Sequence, residues 1–248
     1  SQADAVKQEE CYTKKMTKRT RKIGSIKTEL LTKSREAMLA AVQVFNNPNF
    51  QFKSESFIVL AIISWTYMLH AYYRSKGIEY RYYEVHGSKK IYDKTKRGAY
   101  KYWELEKCLN DSHCPIDNVA SSNLKFLIGL RHEIEHQITT RIDDYLSARF
   151  QACCLNYNKY IKELFDPKLG IDKYLSFSLQ FSSINEEQAN QLREFSDLPK
   201  NIASYISCYD ADIPNNEYND IRYSYRVLYV PKLVNKKGQE KVSTKQDC

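Results

Sequence analysis

The stretch "LRHEIEHQI", Leu130 to Ile138, places His132, Glu133 and His136 in an H-E-x-x-H arrangement; with Arg131 included, the same letters spell R-H-x-x-x-H. The two spacings call for different chemistry. Two histidines four residues apart on a helix can bind one zinc ion while the glutamate beside them activates water, as in a metalloprotease. An arginine and a histidine can instead cleave RNA with no metal or cofactor, because the substrate's own 2′-hydroxyl is the nucleophile. The histidine moves protons in the useful pH range, and the planar guanidinium holds the scissile phosphate and offsets the charge that develops in the transition state. In a third reading these residues are a solvated polar face, with Arg131 and Glu135 paired at i, i+4.

The zinc reading meets poor surroundings. Glu135 lies between the two histidines, Arg131 adds a cation beside the intended metal, and no convincing third ligand follows, although Glu163 is at a permissible distance. The ribonuclease reading assigns catalysis to Arg131 and His136, with His132 in support. On an ideal helix Arg131 and His136 are separated by about 140° around the axis. The length of arginine, a distorted helix end or a second copy of the helix can close that gap, which makes a homodimer through the motif-bearing helices part of the reading.

The elements that must position these residues are mostly helical. Ala37, Met38, Ala41, Val44 and Phe45 form one apolar face of a helix from Ser34 to Phe45, ended by "NNPN". Ser54 can cap a second helix from Glu55 to about Lys76, apolar nearly all round and therefore central to a bundle. Its most apolar run, Phe57 to Leu69, is 13 residues long, too short for a bilayer. A third helix is expected over Tyr100 to Leu109, a fourth from about Asp117 through the motif, and a fifth over Arg141 to Phe165, opened by a Thr140/Asp143 capping box. In the fourth, Leu127, Leu130, Ile134 and Ile138 repeat at helical spacing and should face the core, leaving His132 and His136 turned away from it. "YLSFSLQFSSI" alternates Leu175, Phe177, Leu179 and Phe181 with polar residues, as a half-buried strand does. A helical stretch over Glu186 to Tyr209 and a second strand-like run, "IRYSYRVLYV", follow. The expected class is mainly α: a helical bundle with a small C-terminal α+β appendage, divided as a basic arm (1–30), the bundle (31–166), the appendage (167–234) and a loose tail (235–248).

Composition supports a globular, nucleic-acid-facing chain. Its 248 residues carry a formal charge of +8, and 42% are hydrophobic, enough for a sizeable core. The chain holds 20 Tyr and 10 Phe against 7 Gly and 6 Pro, which favours long helices over tight turns. Part of the basic excess lies in "KKMTKRTRK", Lys14 to Lys22, which can neutralise phosphates or remain a solvated arm. Seven cysteines without a C-x-x-C pair fit a reducing compartment, and His113 with Cys114 lacks a second pair at zinc-site spacing. The basic start has no apolar h-region behind it, which points to a cytoplasmic protein with no membrane partner.

The richest mixture of rings and cations is "YRYYEVHGSKKIYDKTKR", Tyr80 to Arg97. Tyr80, Tyr82, Tyr83 and Tyr92 could stack on bases, and Arg81, Lys89, Lys90, Lys94, Lys96 and Arg97 could contact phosphates. The alternative is that the tyrosines pack on the bundle and the lysines keep it soluble.

"LIGLRHEIEH" after a run of helices, with a long helix following, resembles the HEPN superfamily (higher eukaryotes and prokaryotes nucleotide-binding). Its signature is Arg, four to six residues and then His, commonly with a polar residue after the Arg. The flanking text "SREAMLAAVQVFNNP", "GAYKYWELEKCL" and "YRVLYVPKL", over about Ser34 to Val234, is similar to a bacterial HEPN-like family. The resemblance implies an all-α bundle, frequently dimeric, that cleaves RNA without metal in toxin or phage-defence systems, where an antitoxin or regulatory protein restrains it. It implies Arg131 and His136 as the catalytic pair and His132 as the supporting polar residue. Some members carry a Tyr two residues after the His; Ile138 stands there, so that role does not transfer. Other members are inactive, which keeps an RNA-binding or interaction module open beside the enzyme.

Overall fold

The computed structural model describes residues 25–134, 142–178 and 198–225, together with the strands Tyr229–Lys232 and Lys241–Thr244. The fold is mainly α. The first helix, α1 (Ile26–Asn46), begins eight residues before the expected start because Ser25 caps it, accepting from the Thr28 N–H, and a Glu29–Lys33 pair supports its polar opening. Helix α2 (Lys53–Ser75) is the bundle centre, with Phe57, Ile58, Ala61, Trp65, Met68 and Leu69 all buried. At 23 residues it exceeds the 13-residue apolar run, and it is the one described helix long and apolar enough to cross a membrane by length and composition alone. More than half of that apolar window is buried within the bundle, while Val59 and Ile63 are exposed. The α1–α2 seam is clasped by two serines: Ser34 Oγ donates to the Ser64 carbonyl at 2.8 Å, and Ser64 Oγ donates to the Ser34 carbonyl at 2.7 Å.

After α2 the chain makes a two-stranded hairpin, β1 (Tyr83–His86) with β2 (Lys89–Tyr92), antiparallel with Tyr83 opposite Tyr92. The expected helix from Tyr100 begins only at Leu105 (α3, Leu105–Leu109), since Tyr100 and Tyr102 are held extended by bridges to Lys94 and Arg81. Helix α4 (Asn118–Ile134) carries the motif, and α5 (Ile142–Leu164) returns antiparallel to it. The packing follows from specific contacts. Tyr160 on α5 donates to Asp117 at 2.5 Å, beside the start of α4; Asn123 on α4 donates to the Arg149 carbonyl at 3.0 Å; Phe57 on α2 meets Phe150 on α5 at 4.5 Å between ring centroids.

Residues 172–178 are helical (α6, Asp172–Ser178), which corrects the strand expected there. Ile171 and Leu175, four apart, are both buried, so the helical period wins over the alternation. Leu179 and Phe181 lie outside the described residues. Helix α7 (Lys200–Asp212) packs on α4, and Ile202, Ile206 and Tyr223 join the same core cluster as the bundle. A short helix, α8 (Asn215–Tyr218), leads to the buried Tyr223. Of the second strand-like run, Ile221 to Val230, residues 221–225 are turn and coil rather than strand, and only its last two residues fall in β3 (Tyr229–Lys232), which pairs antiparallel with β4 (Lys241–Thr244), so the tail expected to be loose contains a strand.

Many of the tyrosines serve as ring-and-hydroxyl spacers between helices. Tyr73 donates to the Cys108 carbonyl at 2.6 Å, and the hydroxyls of Tyr157 and Ser34 lie 2.8 Å apart. Each buries a ring while its hydroxyl finds a polar partner.

Candidate functional site

Leu127, Leu130 and Ile134 are buried, as their spacing requires, and the last described turn of α4 presents Arg131 half-buried and His132 exposed. His136, Glu135, Thr140 and the basic arm Lys14 to Lys22 lie outside the described residues. Glu133 points to α7. The Asn201 side-chain amide donates to the Glu133 carbonyl at 3.1 Å and to its Oε2 at 3.0 Å.

Asn201 is the first rung of a ladder. Tyr205 donates to the Phe126 carbonyl at 2.9 Å and Tyr209 to the Ser122 carbonyl at 3.0 Å, so three residues spaced by four along α7 grip α4 antiparallel. Gly129 makes the approach possible, because a Cβ there would overlap the hydroxyl and ring of Tyr205. Burial and the neighbouring Tyr209 raise the Tyr205 hydroxyl well above its ordinary range, and burial pushes Tyr209 up to about 12, so both stay protonated donors.

Beneath the ladder, Arg149 is buried and donates to both Asp210 oxygens at 2.6 Å, while its guanidinium lies 4.3 Å from the Phe126 ring centroid. Tyr223 donates to the same carboxylate at 2.8 Å, and Asn123 donates to the Tyr223 carbonyl at 2.8 Å. Arg149 Nε and Asn123 Oδ1 are buried without a hydrogen-bond partner among the described residues. The motif helix thus rests on α7 through hydrogen bonds and on a buried ion pair below.

Sequence reading did not single out Asn201, Tyr205, Tyr209, Arg149 or Asp210. The available signal was the four-residue spacing of Asn201, Tyr205 and Tyr209 within an expected helix, which marks a shared face but not its partner.

Glu163, the candidate third zinc ligand, sits in the last turn of α5, beyond Tyr160, which contacts Asp117 at the start of α4. His132 is near the other end of α4, about 20 Å along the axis. The packing therefore removes Glu163 from any site with His132. Cys108, Cys153 and Cys154 are buried free thiols, and among the described residues no three His, Cys, Asp or Glu side chains gather as a metal-binding group.

The ring-and-cation stretch divides into an inner and an outer set. Tyr80 is 7% exposed, its ring 4.8 Å from His70, so it offers no open face to a base. Arg81 is committed to Glu79 by a 2.6 Å salt bridge and lies over the Tyr92 ring at 4.1 Å; its hydrogen bond is the main reason the Glu79 carboxyl falls to about 2. Tyr82 is half-buried, and burial followed by its hydrogen bond with Glu104 raises its hydroxyl to about 12. Lys89, Lys90, Lys96 and Arg97 are exposed. The stretch follows the C-terminal end of α2, where Tyr73 contacts Cys108 ahead of α4. It is therefore at the opposite end of the bundle from Arg131.

No curated protein and no solved structure matches the chain. A family model matches residues 29–213, from the first turn of α1 to just past the end of α7, and the chain accordingly belongs to that family, DUF3644, a domain of unknown function.

Proposed function

We propose that the chain is a metal-independent endoribonuclease in which Arg131 and His136, supported by His132, promote attack of the substrate 2′-hydroxyl on the adjacent phosphate. The observation that carries this reading is the division of roles along the last described turn of α4. Leu130 and Ile134 are in the core, and Glu133 is engaged by Asn201 through both carboxylate and carbonyl. The glutamate that a zinc protease would use as its base is held in a structural contact, while the residues beside it are those the R-H-x-x-x-H chemistry uses. A homodimer through the motif helices belongs to the same proposal, as does the setting implied by the HEPN resemblance: a cytoplasmic toxin or phage-defence system with a restraining partner.

The test is incubation of the purified protein with total RNA in EDTA, followed by mapping of the ends. Cleavage should persist and leave 2′,3′-cyclic phosphates. Arg131→Ala and His136→Ala should each reduce it on the order of a hundredfold or more, while Glu133→Gln stays within roughly tenfold. RNA that is bound but never cut would identify a binding module instead. Turnover of a protein substrate that vanishes with chelator and in Glu133→Gln would restore the zinc reading.

A further inference from the structure

Residues 79–103 fold into a small meander. Its first and last segments are joined by Tyr82 N–H donating to the Lys101 carbonyl at 3.0 Å and Trp103 N–H to the Tyr80 carbonyl at 2.9 Å. The β1–β2 hairpin projects between them, and Lys94 bridges Tyr100 around a second tight turn. Gly87 and Gly98 occupy the two tips at φ of 63° and 86°, a conformation that glycine adopts freely. Folding in this way sets Lys89 and Lys90 beside one tip and Lys96 and Arg97 at the other. These four, with Lys94 and Lys101, are exposed and make no ion pair with a described residue. Arg81 differs, being neutralised by Glu79 inside the meander.

The rings are layered in the same way. His70 and Tyr80 are buried, and Tyr102 closes the cluster from outside, its centroid 5.3 Å from Tyr80 at an interplanar angle of 33° and its side chain 48% exposed. The outermost ring of an ordered aromatic cluster therefore lies at the base of a meander whose two tips carry cations that no described carboxylate neutralises. That combination suits a ligand with regularly spaced negative charge and flat apolar groups. A bilayer fits less well. Val85 pairs with Lys90 and Ile91 with Glu84, so these two exposed apolar side chains project from opposite faces of the ribbon and cannot enter one plane together.

We propose that the meander is a holding surface for single-stranded RNA, separate from the motif turn. Lys89, Lys90, Lys96 and Arg97 contact phosphates, and a base extends the Tyr102–Tyr80 stack. The proposal rests on RNA as the ligand in the function proposed above, but not on cleavage. Since α4 has 17 residues and is about 25 Å long, only an RNA long enough to span the bundle engages both ends. The surface therefore governs capture of long RNAs and leaves chemistry on short ones untouched.

The experiment measures anisotropy of a labelled single-stranded RNA of about 30 nucleotides with the full chain at several salt concentrations. The combined Lys89→Glu, Lys90→Glu, Lys96→Glu and Arg97→Glu variant, its fold checked by circular dichroism, should bind at least about tenfold more weakly with a shallower salt slope. Tyr102→Ala should weaken binding by roughly fivefold or more. If cleavage occurs, the charge-reversed variant should raise KM on the long RNA and leave turnover of a dinucleotide substrate, too short to reach both ends, unchanged. Unchanged affinity in the charge-reversed variant overturns the proposal. So does binding to polyglutamate or to phosphatidylserine vesicles as tight as to RNA, with Tyr102→Ala indifferent. RNA captured through these residues but never cut leaves the holding surface standing and removes the ribonuclease reading.

Discussion

The side-chain amide of Asn201 donates to both the backbone carbonyl and the carboxylate of Glu133, 68 residues earlier in the chain, at 3.1 and 3.0 Å. One α7 side chain thus fixes the turn of α4 that carries Arg131 and His132. Such bonds contribute on the order of 1 kcal/mol each. Asn201→Ala is expected to speed hydrogen exchange of the amides of residues 131–134 with a modest loss of global stability. Under the ribonuclease reading it lowers kcat while RNA affinity is retained. Unchanged exchange at those amides would show that the contact fixes nothing.

Gly129 and Tyr205 are in close register, and Tyr205 is itself held by its bond to the Phe126 carbonyl. Alanine ordinarily gains about 1 kcal/mol over glycine inside a helix. Here the overlap with a tethered ring should reverse the sign, and Gly129→Ala is expected to destabilise the protein by about 1–3 kcal/mol in chemical denaturation. Combination with Tyr205→Leu should be less damaging than the sum of the two single changes. Strict additivity would disprove the close approach.

The Arg149–Asp210 pair is asymmetric, with the arginine side chain 6% exposed and the carboxylate 19%. Asp210→Ala leaves a buried guanidinium without its counter-charge, for which the expected cost is about 3–5 kcal/mol. The double change Arg149→Met with Asp210→Leu should cost less, because it removes both charges. Thermal denaturation of the two variants beside the wild type separates a buried pair from a surface one, for which both changes would be small.

His70 is buried with Nε2 2.7 Å from the Trp103 carbonyl, and burial, partly opposed by that hydrogen bond, lowers its pKa. The unfolded chain takes up a proton near pH 6.5 that the folded chain refuses until lower pH. The resulting stability is complete above pH 6.5 and declines as pH falls from there toward the folded-state value. His70→Phe should remove this part of the pH dependence from the melting temperature. A wild-type Tm that is flat over this window, or identical profiles for the two proteins, would contradict it.

The helical architecture was legible because periodicity is local. Ala37, Met38 and Ala41, and Leu127, Leu130 and Ile134, announce helices and their buried faces through spacings of three and four, and α1, α2, α4 and α5 formed with shifted ends. Locality also produced the errors. Residues 172–178 alternate like a strand yet are helical, since burial of Ile171 and Leu175 rewards the other period. The expected third helix gave up its first turn to the bridges of Tyr100 and Tyr102 with residues upstream.

For the candidate site, residue types and spacing suggested the roles proposed for Arg131, His132 and His136, while their surroundings depended on folding. No pattern within α4 shows that Asn201 will hold Glu133 or that Gly129 makes room for Tyr205. A hydrogen bond between residues 68 apart arises from the antiparallel docking of α7 and leaves no periodic trace in either helix. The same holds for the cations. Composition collected Arg81, Lys89, Lys90, Lys96 and Arg97 into one stretch, but the meander neutralised Arg81, buried Tyr80 and left the other cations exposed at its two tips. Antiparallel helices then placed that surface at the far end of the bundle from Arg131. Charge and spacing are properties of the chain, whereas distance and desolvation follow from which helix ends meet.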